Sequence, residues 1–139
     1  MRFKKSIINK CRIINLPKCE DKRGNISFIE ELKHVPFKIK RTYWIYDVPG
    51  GKIRGGHAYI NNQEFIVALS GSFDVILDDG VTRKVFSLNR SYYGLYVSQG
   101  IWRQMKSFST NSLVLVLASI KYDASDYIYD YEAFKRKIK

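Results

Sequence analysis

Cysteine is nearly absent: Cys11 and Cys19 are the chain's two, and both lie ahead of its most reactive stretch. Two thiols cannot define a disulfide framework, nor a zinc site without further ligands, so a reduced, incidental pair is expected. Long apolar runs are missing too, and none approaches the ~20 residues of a membrane span. The opening Met1-Arg-Phe-Lys-Lys-Ser-Ile-Ile-Asn-Lys is basic but has no long apolar stretch followed by a small-residue cleavage site. A cytoplasmic protein without membrane association is the expectation. Acidic residues are few, 13 against 24 Lys and Arg, and the resulting +11 invites a nucleic-acid partner. Its distribution argues against one. Residues 1–18 hold six of the bases and residues 135–139 four, with no acid in either stretch, which leaves the body at a net +1. An excess carried on the tails is not a basic stripe interleaved with aromatics, so no nucleic acid is expected. Internal repeats and low-complexity segments are absent as well, and the length suits one domain, 1–139.

What is present is a series of short strand-like runs. Cys11 to Leu16 and Asn25 to Glu31 flank a polar turn and read as a first hairpin, with Arg23 before Gly24 at its tip, free either to reach a cleft or to stay solvated. His34, ahead of Pro36, reads as a loop residue without function. Lys38 to Asp47 alternates, placing Arg41, Tyr43 and Ile45 on one face and Lys40, Thr42, Trp44 and Tyr46 on the other. Gln63 to Leu69, Ser72 to Leu77 and Thr82 to Ser87 follow, the last two joined through Asp78-Asp79-Gly80, a strong hairpin signal. Tyr92 to Val97 and Ile101 to Ser107 read as another strand pair, and Ser112 to Ile120 as a buried apolar strand. Many short strands at near-regular spacing mean an all-β sandwich or barrel. Ser125 then suits a helix cap, and Tyr127, Ile128, Tyr131, Phe134 and Ile138 recur at helical spacing, so one amphipathic C-terminal helix is expected, its aromatic stripe used for packing.

The chemistry concentrates in Arg54-Gly-Gly-His57-Ala-Tyr59, continuing through Glu64 to Gly71. Side chains two apart on a strand share a face, so His57 and Tyr59 project together, and the next strand completes a two-strand platform. The spacing of Gly55, His57, Tyr59, Glu64 and Gly71 resembles the first motif of the cupins, double-sheet jelly-roll β-barrels in which two His, a Glu and a later His usually hold a metal. Here Tyr59 stands for the second His and Arg103 for the last. A guanidinium has no acceptor and stays protonated, so no catalytic metal is expected.

Asp21-Lys-Arg-Gly24, Ile39-Lys-Arg41, Arg54-Gly-x-His57-Ala, Val75 to Gly80, Gly94 to Val97, Ile101-Trp-Arg103-x-Met105, Val116 to Ser119 and Tyr122-Asp-x-x-Asp-Tyr-Ile128 follow one another in an order that resembles the sugar-nucleotide 3,4-ketoisomerases. The resemblance implies a metal-independent cupin barrel with a C-terminal α-helix, a homodimer, and a dTDP-linked 4-keto-6-deoxyhexose as substrate. It implies no dissociable cofactor, because the C3 proton leaves, an enediolate forms and a proton returns at C4. His57 matches the family's base, and a neutral imidazole with an ordinary pKa of ~6.5 suits that work. Arg41 and Arg54 match positions that engage the diphosphate, with Tyr43 beside them. Arg23 and Arg103 match positions near the sugar that differ between relatives making the glucose and galactose epimers. Arg23 suits one pattern and Arg103 the other, so the epimer is left open. Two departures stand out: the family's His-Ala-His is His57-Ala-Tyr59 here, and Glu64 replaces a usual Gln. Tyr59 suits hydrogen-bond donation to an enediolate oxygen better than base work. A sugar-nucleotide epimerase, a non-catalytic dTDP-sugar-binding protein and a metal-dependent oxygenase of the same barrel are the competing readings.

Overall fold

Strand runs whose alternate residues are apolar must bury one face, and runs apolar throughout must bury both. The computed structural model, which describes residues 5–137, satisfies both requirements with two five-stranded antiparallel sheets packed face to face. In chain order the strands are β1 (Arg12–Asn15), β2 (Lys18–Cys19), β3 (Ile26–Ser27), β4 (Arg41–Ile45), β5 (Arg54–Tyr59) and β6 (Glu64–Ser70). There follow β7 (Phe73–Asp78), β8 (Arg83–Leu88), β9 (Tyr93–Val97), β10 (Trp102–Lys106), β11 (Leu113–Ala118) and β12 (Tyr127–Ile128), then one helix, α1 (Tyr131–Lys137). One sheet has the order β1-β9-β6-β11-β4, the other β12-β5-β10-β7-β8. This is the all-β, jelly-roll type of barrel expected of a cupin, closed at its C-terminus by a helix. No helix among the described residues is long and apolar enough to cross a membrane.

The core lies between the sheets, where Ile66, Ala68, Val75, Leu77, Leu95, Met105, Val114 and Val116 meet. A second cluster covers the outer face of the first sheet, with Val35 and Phe37 lying over Phe65, Val67 and Leu117. The strands β6 and β11 are therefore covered on both faces, which is why they read as continuous apolar runs. On the outer face of the second sheet, Phe134 of α1 packs with Ala58 and Trp102.

The structure corrects four expectations, three of strand partnership and one of where the C-terminal helix begins. The first run pairs with β9, not with its sequence neighbour, and β2 and β3 make a separate two-stranded sheet. The expected pair of β9 and β10 is split, β9 joining β6 and β10 joining β5 and β7. The platform of β5 and β6 does not form either, because these strands belong to opposite sheets and face each other across the barrel. The C-terminal helix starts at Tyr131 rather than near Ser125: Asp123, whose carboxylate accepts from Ser125 N, caps a short 3-10 turn, and Tyr127–Ile128 is then drawn into β12 against β5. Ile138, Lys139 and residues 1–4, on which parts of the helical stripe and basic tails fall, lie outside the described residues.

Asp79, fully buried in the hairpin between β7 and β8, fastens the N-terminal segment to the barrel. Its carboxylate accepts from Ser6 Oγ, from the backbone N–H groups of Ile7 (2.7 Å) and Ile8 (2.9 Å), and within its own turn from Val81 and Thr82. Burial alone would raise its pKa, but the bonds from Ser6 and from backbone N–H groups outweigh it and hold the carboxyl at about 2, below the ordinary 3.8. A depressed carboxylate stabilises the fold above its unfolded pKa and loses that contribution as pH falls through the folded value. Asp79→Ala is expected to cost about 2 kcal/mol at pH 7, from orphaned donors, and the difference in urea midpoint from the parent should shrink as pH drops from about 4 towards 2.

Candidate active site

The period of a strand decides what faces the barrel interior. On β4 the inward set is Arg41, Tyr43 and Ile45, on β5 Gly55, His57 and Tyr59, on β6 Glu64 ahead of Ile66, and on β10 Arg103 ahead of Met105. The polar members all lie at one end of these strands, and they surround a cleft of about 440 Å³. Arg41, Tyr43, Arg54, His57, Tyr59 and Arg103 line it together with Trp44, Ile45, Tyr122 and Tyr127.

At its floor is a buried ion pair, Arg103 with Glu64, whose side chains are 2% and 1% exposed. Arg103 Nε lies 2.6 Å from Glu64 Oε1. The other carboxylate oxygen, Oε2, accepts from Tyr43 Oη at 2.5 Å and from Tyr59 Oη at 3.2 Å. Arg103 also donates through Nη2 to Tyr43 Oη (2.8 Å) and through Nη1 to the Gly55 carbonyl (3.4 Å). Gly55 has φ +70 and its missing Cβ would collide with Arg103 Nη1, so both its conformation and the guanidinium beside it demand glycine. Register makes the contact: Arg103 pairs with His57, and the ladder shifts before Met105 meets Arg54.

His57 lies above this floor, 8% exposed, with its ring 4.8 Å from that of Tyr59 and 5.0 Å from that of Tyr127. Its Nε2 is buried and makes no hydrogen bond among the described residues. Burial, then the charges of Arg103 and Arg41, lower its pKa from 6.5 to about 3, so the imidazole is neutral with a lone pair to offer. Burial, reinforced by the Glu64 charge, moves Tyr59 the other way, well above an ordinary phenol. Tyr43 shifts upward too, chiefly by burial. For Arg103, burial opposes the charge, but Glu64 and the two phenols outweigh it and hold the guanidinium protonated.

The structure brings together seven of the eight residues expected at the site. Six line the cleft and Glu64 supports it from below. Arg23 is elsewhere: it extends from the loop between β2 and β3, forms a two-pronged ion pair with Asp21 (3.0 Å on each prong), and borders a separate hollow. The loop belongs to the small outlying sheet, and nothing in it turns Arg23 towards the barrel of its own chain. Tyr127 was expected to serve packing alone. It lines the cleft instead, accepting from Arg41 Nη2 at 3.2 Å, because β12 pairs Tyr127 with Tyr59. Trp44, assigned to the face of its strand opposite Arg41 and Tyr43, also lines the cleft. The motif from Tyr122 to Ile128 was the available signal for the aromatic wall, but its spacing reads equally as a helix.

These donors do not suit a divalent cation. The one carboxylate at the floor is taken up by a guanidinium and two phenols, and no cluster of three His, Cys, Asp or Glu side chains occurs among the described residues. What the arrangement offers is a neutral base, a phenol backed by a carboxylate, and two further cations, Arg41 and Arg54, at the side of the cleft.

The family described as FdtA: WxcM-like, C-terminal, matches residues 9–139. A curated relative, TDP-4-oxo-6-deoxy-alpha-D-glucose-3,4-oxoisomerase of Aneurinibacillus thermoaerophilus, is 43% identical over 127 residues, 91% of either chain. Among solved structures, the WlaRB TDP-quinovose 3,4-ketoisomerase of Campylobacter jejuni is 44% identical with a TM-score of 0.89, covering 93% of this chain and 99% of that one. QdtA, a sugar 3,4-ketoisomerase of Thermoanaerobacterium thermosaccharolyticum solved in complex with TDP, is 32% identical with a TM-score of 0.92, covering 95% and 96%.

The depressed pKa of His57 has a measurable consequence. As pH falls below 6.5 the unfolded chain takes up this proton and the folded chain does not until about 3, so the contribution of His57 to stability is intact above pH 6.5 and declines through that window. Relative to its value at pH 7.5, the stability of His57→Asn should gain about 1–2 kcal/mol on the parent by pH 5, read from paired urea midpoints. An unchanged difference would show that the imidazole titrates normally in the fold.

Proposed function

The chain belongs to the FdtA family of WxcM-like C-terminal domains, and from that premise we propose that it is a sugar-nucleotide 3,4-ketoisomerase acting on dTDP-4-keto-6-deoxyglucose. The observation that carries the assignment of roles is His57, a buried imidazole that stays neutral, lining a cleft of cations and phenols, with its Nε2 unpartnered among the described residues. The sugar's C3–H lies next to the C4 ketone, so removing it produces an enediolate whose charge resides on oxygen. His57 takes this proton and returns it at C4, leaving the ketone at C3. Tyr59 donates a hydrogen bond to the developing oxyanion, in the position where relatives have a second His. The reaction is internally balanced in electrons, so no oxidant or reductant enters it.

Arg41 and Arg54 are assigned to the diphosphate, a role for which forked guanidinium groups are shaped. Arg41 is already aimed by Tyr127 and lies over the rings of Tyr43 (5.1 Å) and Tyr122 (5.4 Å). The incoming diphosphate also offsets the cationic field that depresses His57, which strengthens the base once substrate is bound. A 3-keto product suits transamination to a 3-amino sugar. The epimer at C4 is left unassigned. The reading includes a cytoplasmic location, where nucleotide sugars are available.

A homodimer is part of the same proposal. The outlying arm exposes Ile26, Phe28 and Leu32, while Trp44 of the edge strand β4 and Tyr46 just beyond it are exposed as well. Joining such surfaces in pairs removes them from water. Sedimentation equilibrium should therefore return twice the 16.2 kDa chain mass, and a monomer at micromolar concentration would refute the assembly.

Activity is tested by NMR of dTDP-4-keto-6-deoxyglucose incubated with the protein in D2O. The parent should convert it to a 3-keto sugar carrying deuterium at C4, and His57→Asn should slow this by about 10³-fold or more while still binding dTDP. Deuterium at C3 and C5 with the ketone kept at C4 would mean epimerisation instead. Tight dTDP binding by the parent without any conversion would mean a binding protein.

A further inference from the structure

Water has two approaches to the imidazole of His57. One is the cleft, which a bound substrate fills. The other is the side of the C-terminal segment, where the chain leaves β12. There Tyr127 and Tyr129, two positions apart, turn their rings to the same side and stack at 5.3 Å with 13° between their planes. The Tyr129 ring meets His57 at 5.9 Å in an edge contact, yet Tyr129 does not line the cleft. Tyr129 is 65% exposed while His57 is 8% exposed, so this ring is the outermost layer between the imidazole and solvent on that side.

The other two rings against His57 are tied into the polar network, Tyr59 by donating to Glu64 and Tyr127 by accepting from Arg41. Tyr129 is held by its ring contacts. It can therefore be removed without unmaking the floor of the cleft or the aim of Arg41.

A dry base matters in this reaction. After taking the C3 proton, His57 is an imidazolium until the proton is given up, and an imidazolium open to water trades that proton for one from solvent. Excluding water prevents the leakage. We propose that Tyr129 is the water shield of the base: its ring closes the approach to His57 that substrate cannot cover, so a hydrogen taken from the sugar stays in the site until it is returned. The proposal rests on the ketoisomerase reading above. Tyr129 lies outside the cleft and moves no proton itself, so it is a positioning residue that acts through His57.

The charged and titratable groups facing the imidazole are Arg41 of β4, Arg103 of β10, Tyr59 of β5 backed by Glu64 of β6, and Tyr127 of β12. All of them stay when Tyr129 is truncated. Burial is the larger cause of the low pKa of His57 and the two guanidinium groups the smaller, so opening the shield acts on the larger cause alone.

The test has one readout with substrate and one without. With dTDP-4-keto-6-deoxyglucose in D2O, NMR gives the initial rate at which deuterium enters C3 of unconverted substrate, divided by the initial rate of 3-keto product formation. Initial rates are used because repeated reversible turnovers bring deuterium into both sugars however well the base is shielded. Tyr129→Ala should raise this ratio about fivefold or more, and Tyr129→Phe, which keeps the ring, should leave it within about twofold of the parent. Without substrate, NMR follows the chain's two histidines, His34 and His57, between about pH 7.5 and 5. His57 should stay neutral throughout in the parent and in Tyr129→Phe, and begin to protonate within that range in Tyr129→Ala. An unchanged ratio in Tyr129→Ala overturns the proposal, and so does an equal rise in Tyr129→Phe, which would assign the effect to the hydroxyl. Identical titration of His57 in all three proteins overturns it as well. A parent that neither exchanges C3 nor forms product would instead defeat the ketoisomerase reading, and the titration would still decide whether Tyr129 shields the imidazole.

Discussion

The pairing of Glu64 with Arg103 is the interaction on which the rest of the site depends. It joins β6 of one sheet to β10 of the other inside the barrel, at side-chain exposures of 1% and 2%. Two charges this deep are tolerated only when each is neutralised and hydrogen-bonded, because removing either partner leaves an uncompensated buried ion. Tyr43, Tyr59 and the Gly55 carbonyl complete that requirement, and in doing so they acquire fixed positions. The geometry of the cleft follows largely from satisfying one ion pair. The rest of the barrel interior, filled by residues such as Ala68, Phe73 and Val114, needs no such arrangement.

The charge pattern above this floor resolves an apparent conflict. On the proposed roles the cleft benefits from cations to hold a diphosphate, but His57, depressed chiefly by burial, is made harder still to protonate by the charges of Arg103 and Arg41. In the proposed mechanism the reaction begins from the neutral imidazole, so the conflict harms nothing in the free protein. The substrate's own negative charge then shifts the balance towards the imidazolium when it has to form.

The C-terminal segment links Arg41 at the side of the cleft to His57. Asp126 is buried and accepts from the N–H groups of Asn61 (2.8 Å) and Asn62 (3.0 Å), which pins the segment to the turn between β5 and β6. That fixes β12 against β5 and places Tyr127 so that its ring meets His57 and Tyr59 and its hydroxyl meets Arg41. A helix continuing back to Ser125 would have turned this residue away, so ending the helix early is what supplies the fourth wall of the cleft.

How much of this was legible follows from what strand periodicity contains. The alternation in Lys38 to Asp47 and in the glycine-rich stretch around His57 correctly placed Arg41 with Tyr43, and His57 with Tyr59, on shared faces, since a period of two fixes which side chains of a strand point together. The same pattern carries no record of which strand lies alongside. It therefore misjudged the first hairpin, the pairing of β9 with β10, and the relation of β5 to β6. Glu64 and Arg103 were each expected at the site, but their pairing was not, because they are 39 positions apart in sequence and in different sheets. Tyr127 was misjudged for a related reason: spacings of three and four fit a helix face, and only the docking of Asp126 draws the segment into a strand. By itself the sequence determined most of the strands, which side chains share a face and the reactive groups, all of which depend on neighbours within a few residues, and, through the order of its motifs, the family it resembles. The tertiary structure alone decided which sheet each strand joined, that Glu64 meets Arg103 beneath Tyr59, and that Arg23 stands outside the cleft of its own chain, because those contacts arise from closing a barrel.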